Sequence, residues 1–315
     1  MQLTYSEGLM QKSSWMDKIC GTSQIRAKQN LLPSFFIIGP PRTGSSWLHE
    51  VFQGRTLLPH ALKETRFFDL NFHRGLHWYQ ANYSRKGKPR PMGEVAPTYF
   101  ASPEARQRIS EIVPRARVVC IFRDPVERLF SLYRLKRAYG MIPWNFEEAL
   151  AHDPEFLETS RYAGHLKAWQ QTLGSEQVLA VLYDDLRDHP QSFVDSIADF
   201  IGVRRFQLSS AHMRRVFASE SMTHPRSYAR THRATAVADW FKGQRLGSVV
   251  AAVKRSPLMK LLLGGGTPFG QLPQQVALAL YERLRPEVEE LESILNRDLS
   301  KWKYPYLVAT PAQVG

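Results

Sequence analysis

The 315-residue sequence predicts an α/β fold, with a mainly parallel central sheet between two layers of helices. Three short apolar runs, at 34–39, 117–122 and 178–183, have the length and continuous hydrophobicity of buried strands. Helical patterns lie between and after these runs, and this alternation favours a parallel sheet. Because ligands bind such sheets at the carboxyl ends of the strands, we look for a site just after each run.

Composition and charge narrow the class of protein. The chain is 43% apolar and carries a formal net charge of +13, which indicates a basic globular protein and favours an anionic cofactor or an acidic substrate. It has no array of basic and aromatic residues of the kind that nucleic-acid modules use, so nucleic acid is not expected as a partner. Of its two cysteines, Cys120 lies in an apolar run and is expected to be a reduced core residue.

Targeting signals and domain boundaries are predicted as follows. The sequence has neither the pattern of a signal peptide nor an apolar run long enough to span a membrane, so we expect a cytoplasmic protein. We expect an N-terminal extension at 1–32, one α/β domain at 33–303 and a C-terminal tail at 304–315.

The first half of the chain is expected to contain three strand-like segments and two helices. The run 34–39 predicts a strand that is buried on both faces, and the helix predicted at 45–54 places its apolar residues on one side. A second strand-like segment, rich in aromatic residues, is expected around 65–69. A strand end and loop are expected at 93–100, and a helix at 103–112.

The second half is organised around the run 117–122. Asp124 is a good N-cap and Pro125 suits the first helical position, so a helix is expected from there to about Tyr139, with Gly140 as its stop. Residues 204–271 are basic and have little periodicity, with a glycine break at 264–266. Further helices are expected at 146–150, 162–172, 192–201 and 274–296.

The most informative stretch is the turn after the first apolar run. Residues 39–44 carry two glycines at the G-x-x-x-x-G spacing of a P-loop, and a helix is expected to start at Ser45. A strand, a tight loop and a helix N-terminus bind phosphate-like anions, because the first N–H groups of a helix have no partner inside it. Ser45 and Ser46 stand where a P-loop has Lys-Ser/Thr, and the cation lies earlier, at Arg42. We therefore expect an anion site whose positive charge comes from Arg42.

A second anion-binding position is expected where the second run ends. Arg123 follows that run directly, and Ser131 lies two helical turns beyond Asp124, so both residues project from the same side. Together they are predicted to hold a second phosphate. A capping arginine beside a solvated serine is the structural alternative.

These motifs together resemble the sulfotransferase family. The loop at 39–48 is followed about 80 residues later by the R-D-P segment that begins at Arg123 and by Ser131. The motif K-E-x-x-F-F-D at 63–69 and the motif G-L-x-W-Y at 75–79 are similar to the branch that contains the heparan sulfate sulfotransferases and their bacterial relatives. The resemblance extends over about residues 34–302.

The resemblance implies a P-loop-like fold and 3′-phosphoadenosine-5′-phosphosulfate (PAPS) as the sulfuryl donor. In that family the first loop holds the 5′-phosphosulfate, and the arginine and serine of the R-D-P segment hold the 3′-phosphate. The residues that it implies for cofactor binding are Pro41, Arg42, Thr43, Gly44, Ser45, Ser46, Arg123, Ser131, Tyr183 and Arg226.

The resemblance also implies the catalytic residues. A hydroxyl is a poor nucleophile until a base removes its proton, and Glu64 is implied as that base, with Arg42 and Lys63 as the other catalytic side chains. His60 is the rival base, since small-molecule sulfotransferases use a histidine. The chemistry requires no metal, and the sequence has no Cys/His cluster with metal-ligand spacing.

The expected acceptor is a hydroxyl of a glycan, a glycolipid or a small metabolite, with an amine as the alternative. The heparan sulfate enzymes usually carry Lys where this chain has Val95, which argues against a heparan-like polyanion. Two other classes remain open. A P-loop kinase would need a magnesium-binding carboxylate, for which Asp124 is the only obvious residue, and a non-catalytic anion-binding protein would not need Glu64.

Overall fold

The computed structural model describes residues 32–60, 62–84, 89–215, 222–243 and 266–303. Within these ranges the core is a parallel sheet of four strands in the order β2-β1-β3-β4. In its register, Phe36 lies opposite Glu94 on one side and Val118 on the other. The strands are β1 Phe35–Ile38, β2 Gly93–Val95, β3 Arg117–Phe122 and β4 Val178–Leu182.

Helices connect these strands and cover the sheet. Short 3₁₀ helices lie at Phe72–Arg74, Pro97–Tyr99 and Ser175–Gln177. The α-helices of the described residues are α1 Ser45–Phe52, α2 Gly75–Gln80, α3 Pro103–Ile112, α4 Pro125–Ala138, α5 Phe146–His152, α6 Glu155–Glu158, α7 Tyr162–Leu173, α8 Tyr183–Asp188, α9 Pro190–Ile201, α10 Ser210–Arg215, α11 Tyr228–Gly243, α12 Gln274–Leu295 and α13 Ser300–Lys303.

The sheet is buried on both faces, as the apolar runs predict. Side chains alternate along each strand, so Phe36 and Cys120 enter one hydrophobic core while Ile37 and Ile121 enter the core on the opposite face. Residues of α3, α7 and α12 complete the first core, and residues of α1 and α9 complete the second. The three-layer α/β/α arrangement is therefore confirmed. Cys120 is a buried free thiol.

The start of α4 shows how local sequence sets an element boundary. Asp124 Oδ1 accepts hydrogen bonds from the N–H groups of Val126 (2.9 Å) and Glu127 (3.0 Å), and Pro125 occupies the first helical position. Each interaction satisfies or removes a donor that the first turn leaves without a partner. After the helix, Gly140 adopts a φ of 63°, which favours glycine.

The prediction of an aromatic strand is wrong. Residues 67–70 form a turn, and the chain then continues through a 3₁₀ helix into α2. The N–H groups of Phe67 and Phe68 donate to the hydroxyl oxygens of Thr65 (3.2 Å) and Tyr99 (3.3 Å) rather than to a neighbouring strand. Both phenylalanine rings enter the same core, whereas successive side chains of a strand point to opposite faces.

The basic region 204–271 contains two helices that the sequence pattern does not indicate, α10 and α11. Along α11 the apolar residues do not recur on one side, so helical periodicity gives no signal, and Val237 and Trp240 are exposed. Most of the expected glycine break lies outside the described residues, as do residues 1–31 and 304–315. No helix in the described ranges is long and apolar enough to cross a membrane.

Gly39 is predicted to tolerate no side chain. It adopts a φ of 144°, and a Cβ added there would lie 2.7 Å from the carbonyl oxygen of Ile121 in β3. We expect Gly39→Ala to lower the free energy of unfolding by about 3 kcal/mol, measured by urea denaturation.

Gly54→Ala is the matched control for the backbone conformation. Gly54 has a φ of 82°, and no described atom lies within 4 Å of an added Cβ. Its substitution is expected to cost about 1 kcal/mol, so equal losses in the two variants would contradict the steric explanation.

Candidate active site

The loop between β1 and α1 is shaped by three residues with positive φ angles. Gly39 approaches β3, Arg42 adopts a φ of 81°, and Gly44 adopts a φ of 96° directly before the helix. A Cβ on Gly44 would lie 3.2 Å from the Leu186 side chain and 3.4 Å from the Tyr183 ring, so α8 packs tightly against the loop. Glycine at both ends lets the backbone turn within van der Waals contact of its neighbours.

The N-terminus of α1, which follows this loop, presents hydrogen-bond donors for an anion. Thr43 is buried, and its hydroxyl donates back to the carbonyl of Pro40 (3.0 Å), which closes the turn. Within the described part of the chain no side chain caps α1, so the first N–H groups and the hydroxyls of Ser45 and Ser46 line the start of the helix. This arrangement, together with the helix dipole, attracts an anion.

Three guanidinium groups lie around the same position. Arg42 Nε donates to Ser131 Oγ (2.9 Å), which joins the first loop to α4. Burial lowers the pKa of Arg42, and the positive charges of Arg123 and Arg134 lower it further. A cluster of like charges in a half-buried position is costly without an anion, so this cluster favours binding of a phosphate or sulfate group. The motifs had not indicated Arg134.

The structure places Ser131 beside Arg42 and gives Arg123 different partners. Arg123 Nη2 lies 2.8 Å from the carboxylate of Glu127, and its guanidinium stacks 4.8 Å from the centroid of the Tyr183 ring. The backbone carbonyl of Arg123 accepts from the Tyr162 hydroxyl at 3.1 Å. Arg123, Tyr183 and the first loop therefore meet at one edge of the sheet, as predicted.

The end of the chain holds Tyr183 in place. Arg297 donates to Asp185 (2.9 Å), and Trp302 Nε1 donates to Asp184 (2.8 Å). Residues after α12 therefore form hydrogen bonds with the first turn of α8, which contains Tyr183. Arg226 is exposed and lies just before α11, and its role in cofactor binding stays a prediction.

Lys63 connects the anion loop to the predicted base. Its Nζ donates to Ser46 Oγ (2.9 Å) at the start of α1 and to Glu64 Oε1 (3.0 Å). The side chains of Lys63 and Glu64 are 37% and 26% exposed, so solvent and an acceptor can reach both. The structure thus brings together Ser46, Lys63 and Glu64, which lie 17 and 18 residues apart in sequence.

A buried carboxylate that the sequence motifs do not indicate lies beneath this segment. Glu94 is fully buried, and its Oε1 accepts from both the N–H and the hydroxyl of Thr65, each at 2.7 Å. Its Oε2 accepts from Tyr79 (2.9 Å) and Tyr99 (3.2 Å). Burial raises the pKa of Glu94 to about 7. The available signal was a lone glutamate inside a short strand.

Two histidines, at positions 49 and 60, bear on the choice of base. His60, the rival base, is exposed. His49, on α1, was not singled out from the sequence, and its Nε2 is buried with no hydrogen-bond partner among the described residues. Burial and then the charge of Lys63 lower the pKa of His49 to about 4, so its imidazole is neutral near pH 7.

Asp124 does not have the free oxygens of a magnesium ligand. Its Oδ1 caps α4, and its Oδ2 accepts from the Tyr281 hydroxyl at 3.0 Å. Within the described ranges, no three His, Cys, Asp or Glu side chains are grouped closely enough to hold a metal ion.

Comparison with known proteins defines the class to which this fold and site belong. The profile described as "Sulfotransferase domain" matches residues 32–242, which is more than half of the chain. The chain therefore belongs to the sulfotransferase family, and the resemblance drawn from its motifs is confirmed.

Its curated relatives include large bifunctional enzymes. The chain is 28% identical over 200 residues to the bifunctional heparan sulfate N-deacetylase/N-sulfotransferase 4 of Mus musculus. It is also 28% identical over 195 residues to the corresponding enzyme 3 of Homo sapiens. In both cases the match covers 55% of this chain and 22% of the relative, so the chain spans about a fifth of their length.

Among solved structures, a sulfotransferase from Alicyclobacillus acidocaldarius has a similar fold. The comparison has a TM-score of 0.62 and covers 86% of this chain and 99% of that one, at 20% identity. This similarity supports the fold, and with it the prediction of a P-loop-like sheet is confirmed.

The protonation of Asp124 is expected to make stability depend on pH. Burial raises its pKa in the folded protein from an ordinary 3.8 to about 7. Between pH ~4 and ~7 the folded protein therefore retains a proton that the unfolded chain has released. The stability difference between the wild type and Asp124→Asn should fall by about 1 kcal/mol per pH unit as the pH rises through this window.

Urea denaturation at a series of pH values measures this difference, and Asp298→Asn is the matched control. Hydrogen bonds from the Ser300 side chain and then from its backbone N–H (2.9 Å) lower the pKa of Asp298, so its contribution is lost only as the pH falls below ~4. If the difference in the free energy of unfolding between the wild type and Asp124→Asn stays constant between pH 4 and 7, Asp124 has an ordinary pKa and the prediction is wrong.

Proposed function

We propose that this chain transfers the sulfuryl group of PAPS to a hydroxyl of a glycan, a glycolipid or a small metabolite. The observation that carries the proposal is the Lys63 bridge, because Lys63 contacts both the start of α1 and the Glu64 carboxylate. A base for the acceptor thus lies beside a site for the anionic donor. A non-catalytic anion-binding protein would have no need of that base.

The donor would lie across the two anion-binding positions. The 5′-phosphosulfate would occupy the N-terminus of α1, next to Ser45 and Ser46, with Arg42 as its cation. The 3′-phosphate would lie at the edge formed by Arg123 and Ser131. The Tyr183 ring, which stacks on Arg123, offers a flat surface on this side of the site.

The reaction is a single in-line displacement. Glu64 removes the proton of the acceptor hydroxyl as its oxygen bonds to sulfur, and the bond between sulfur and the bridging phosphate oxygen breaks. That electron pair stays on the bridging oxygen, and adenosine 3′,5′-bisphosphate leaves. Arg42, Lys63 and the Ser46 hydroxyl stabilise the negative charge that develops on the bridging oxygen.

The nature of the acceptor group has a second candidate. The relatives in mouse and human are named heparan sulfate N-sulfotransferases, which favours an amine of a glycan as the alternative to a hydroxyl. Val95 is fully buried in the second core, so this position offers no cation to a polyanionic chain. We therefore favour a carbohydrate-type or small acceptor of lower charge than heparan sulfate. A cytoplasmic location stays a prediction.

Replacement of Glu64 is the direct test of the mechanism. Glu64→Gln keeps the shape of the side chain but cannot accept the proton, so we expect kcat to fall about 100- to 1,000-fold. The Kd of adenosine 3′,5′-bisphosphate, measured by calorimetry, should change by less than about twofold, because Glu64 does not hold the donor. His60→Ala is the control and should retain wild-type kcat.

Two results would contradict the proposal. Near wild-type turnover in Glu64→Gln, with loss of turnover in His60→Ala, would transfer the role of base to His60. A thermal shift with ATP and Mg²⁺ that exceeds the shift with adenosine 3′,5′-bisphosphate would favour the kinase-like alternative.

A further inference from the structure

The Glu94 carboxylate is the most heavily hydrogen-bonded buried acid near the site. Its two oxygens accept from the Thr65 N–H, the Thr65 hydroxyl, Tyr79 and Tyr99, at 2.7 to 3.2 Å. A buried carboxylate is costly unless such donors surround it. None of these contacts involves a group that the proposed reaction uses, so the mechanism above does not explain Glu94.

Glu94 belongs to the sheet that carries the anion loop. It lies in β2 opposite Phe36 of β1, and β1 leads directly into the loop at 39–44. The carboxylate therefore has a fixed position relative to the start of α1. Through its two bonds to Thr65, it ties the residue next to Glu64 to the same rigid frame.

The segment around Glu64 has no regular secondary structure of its own. Arg66 adopts a φ of 51°, which is a strained conformation for a residue with a long side chain. The hydroxyl of Thr65 also accepts from Phe67 N (3.2 Å) and lies 3.4 Å from the Tyr99 hydroxyl, and its carbonyl accepts from Asn71 Nδ2 (2.8 Å). Among these partners Glu94 is the one that lies in a strand, so its two bonds to Thr65, the Glu94 clamp, join Thr65 directly to the sheet.

We propose that Glu94 is a positioning residue that fixes the Glu64 carboxylate relative to the donor site through Thr65. The inference rests on the proposed function, in which Glu64 is the general base. Glu94 contacts neither donor nor acceptor. It acts by restricting where the backbone of Glu64 can lie, and small displacements of a base reduce the rate of an in-line transfer strongly.

The ionisation of Glu94 gives this role a pH signature. Burial raises its pKa to about 7, and the bonds from Thr65, Tyr79 and Tyr99 oppose that shift. The titratable groups that face it are the hydroxyls of Tyr79, Tyr83 and Tyr99, which stay protonated because burial raises the pKa of each. A proton on Glu94 would remove an acceptor from this cluster and loosen the clamp.

Glu94→Gln tests the proposal, because the amide has the same shape and resembles the protonated acid. We expect kcat to fall about tenfold at pH 8, with the Kd of adenosine 3′,5′-bisphosphate unchanged within about twofold. The ratio of wild-type to variant kcat should shrink as the pH falls below ~7, because protonated wild type then resembles the variant. A purely structural role would leave this ratio constant.

A double-mutant cycle shows whether Glu94 acts through Glu64. In the Glu64→Gln background, Glu94→Gln should cause no further loss of kcat, since the group that it positions is already inactive. Multiplied losses would overturn the proposal. If Glu64→Gln retains turnover, the part of the proposed function that makes Glu64 the base fails, whereas an inactive Glu64→Gln beside a fully active Glu94→Gln refutes only the positioning role.

Thr65 variants keep the test decisive if Glu94→Gln does not fold. Thr65→Val removes one of the two bonds to Glu94 and should lower kcat several-fold, and Thr65→Ser, which keeps the hydroxyl, should restore it. The control is Tyr83→Phe, since the Tyr83 hydroxyl lies 2.8 Å from Tyr79 and not on the carboxylate. Wild-type kcat in Thr65→Val, or an equal loss in Tyr83→Phe, would contradict the proposal.

Discussion

The close contact between Gly39 and β3 is the constraint on which the rest of the structure depends. A Cβ at this position would collide with the backbone of Ile121, so β1 can lie beside β3 and turn sharply only if the residue is glycine. That turn aims the N-terminus of α1 at the carboxyl edge of the sheet. Because parallel strands end at the same edge, Arg123 from β3 and Tyr183 from β4 arrive there too. The anion site is thus a consequence of strand pairing.

The donor side and the acceptor side of the site are built from groups of opposite charge. The donor side is built from the clustered cations Arg42, Arg123 and Arg134 and from the first backbone N–H groups of α1, which favours an anionic ligand. The acceptor side is built on Glu94, a buried anion whose oxygens are already saturated by four donors. Lys63 joins the halves, since it contacts both Ser46 and Glu64. Rigidity beneath the base and electrostatic attraction around the donor together suit a group-transfer reaction.

Sequence reasoning succeeded where a local rule decides the structure. Continuous apolar runs predicted β1, β3 and β4, and the Asp-Pro pair predicted the start of α4. Both features depend on residues that are adjacent in sequence. It failed where distant contacts decide. The aromatic residues after Glu64 have the pattern of a strand, but the N–H groups of Phe67 and Phe68 donate to the hydroxyls of Thr65 and Tyr99 instead of to a neighbouring strand. Glu94 was missed because its importance lies in partners that approach it from three separate segments.

The central claim is that one edge of the sheet holds both phosphates of the donor beside Glu64. A crystal structure with adenosine 3′,5′-bisphosphate tests this claim most directly. The account predicts the 5′-phosphate within hydrogen-bond distance of the Ser45 and Ser46 N–H groups. It also predicts the 3′-phosphate on Arg123 and Ser131, with Ser131 released from Arg42. A nucleotide bound away from the start of α1, or bound with its 3′-phosphate in solvent, would contradict it.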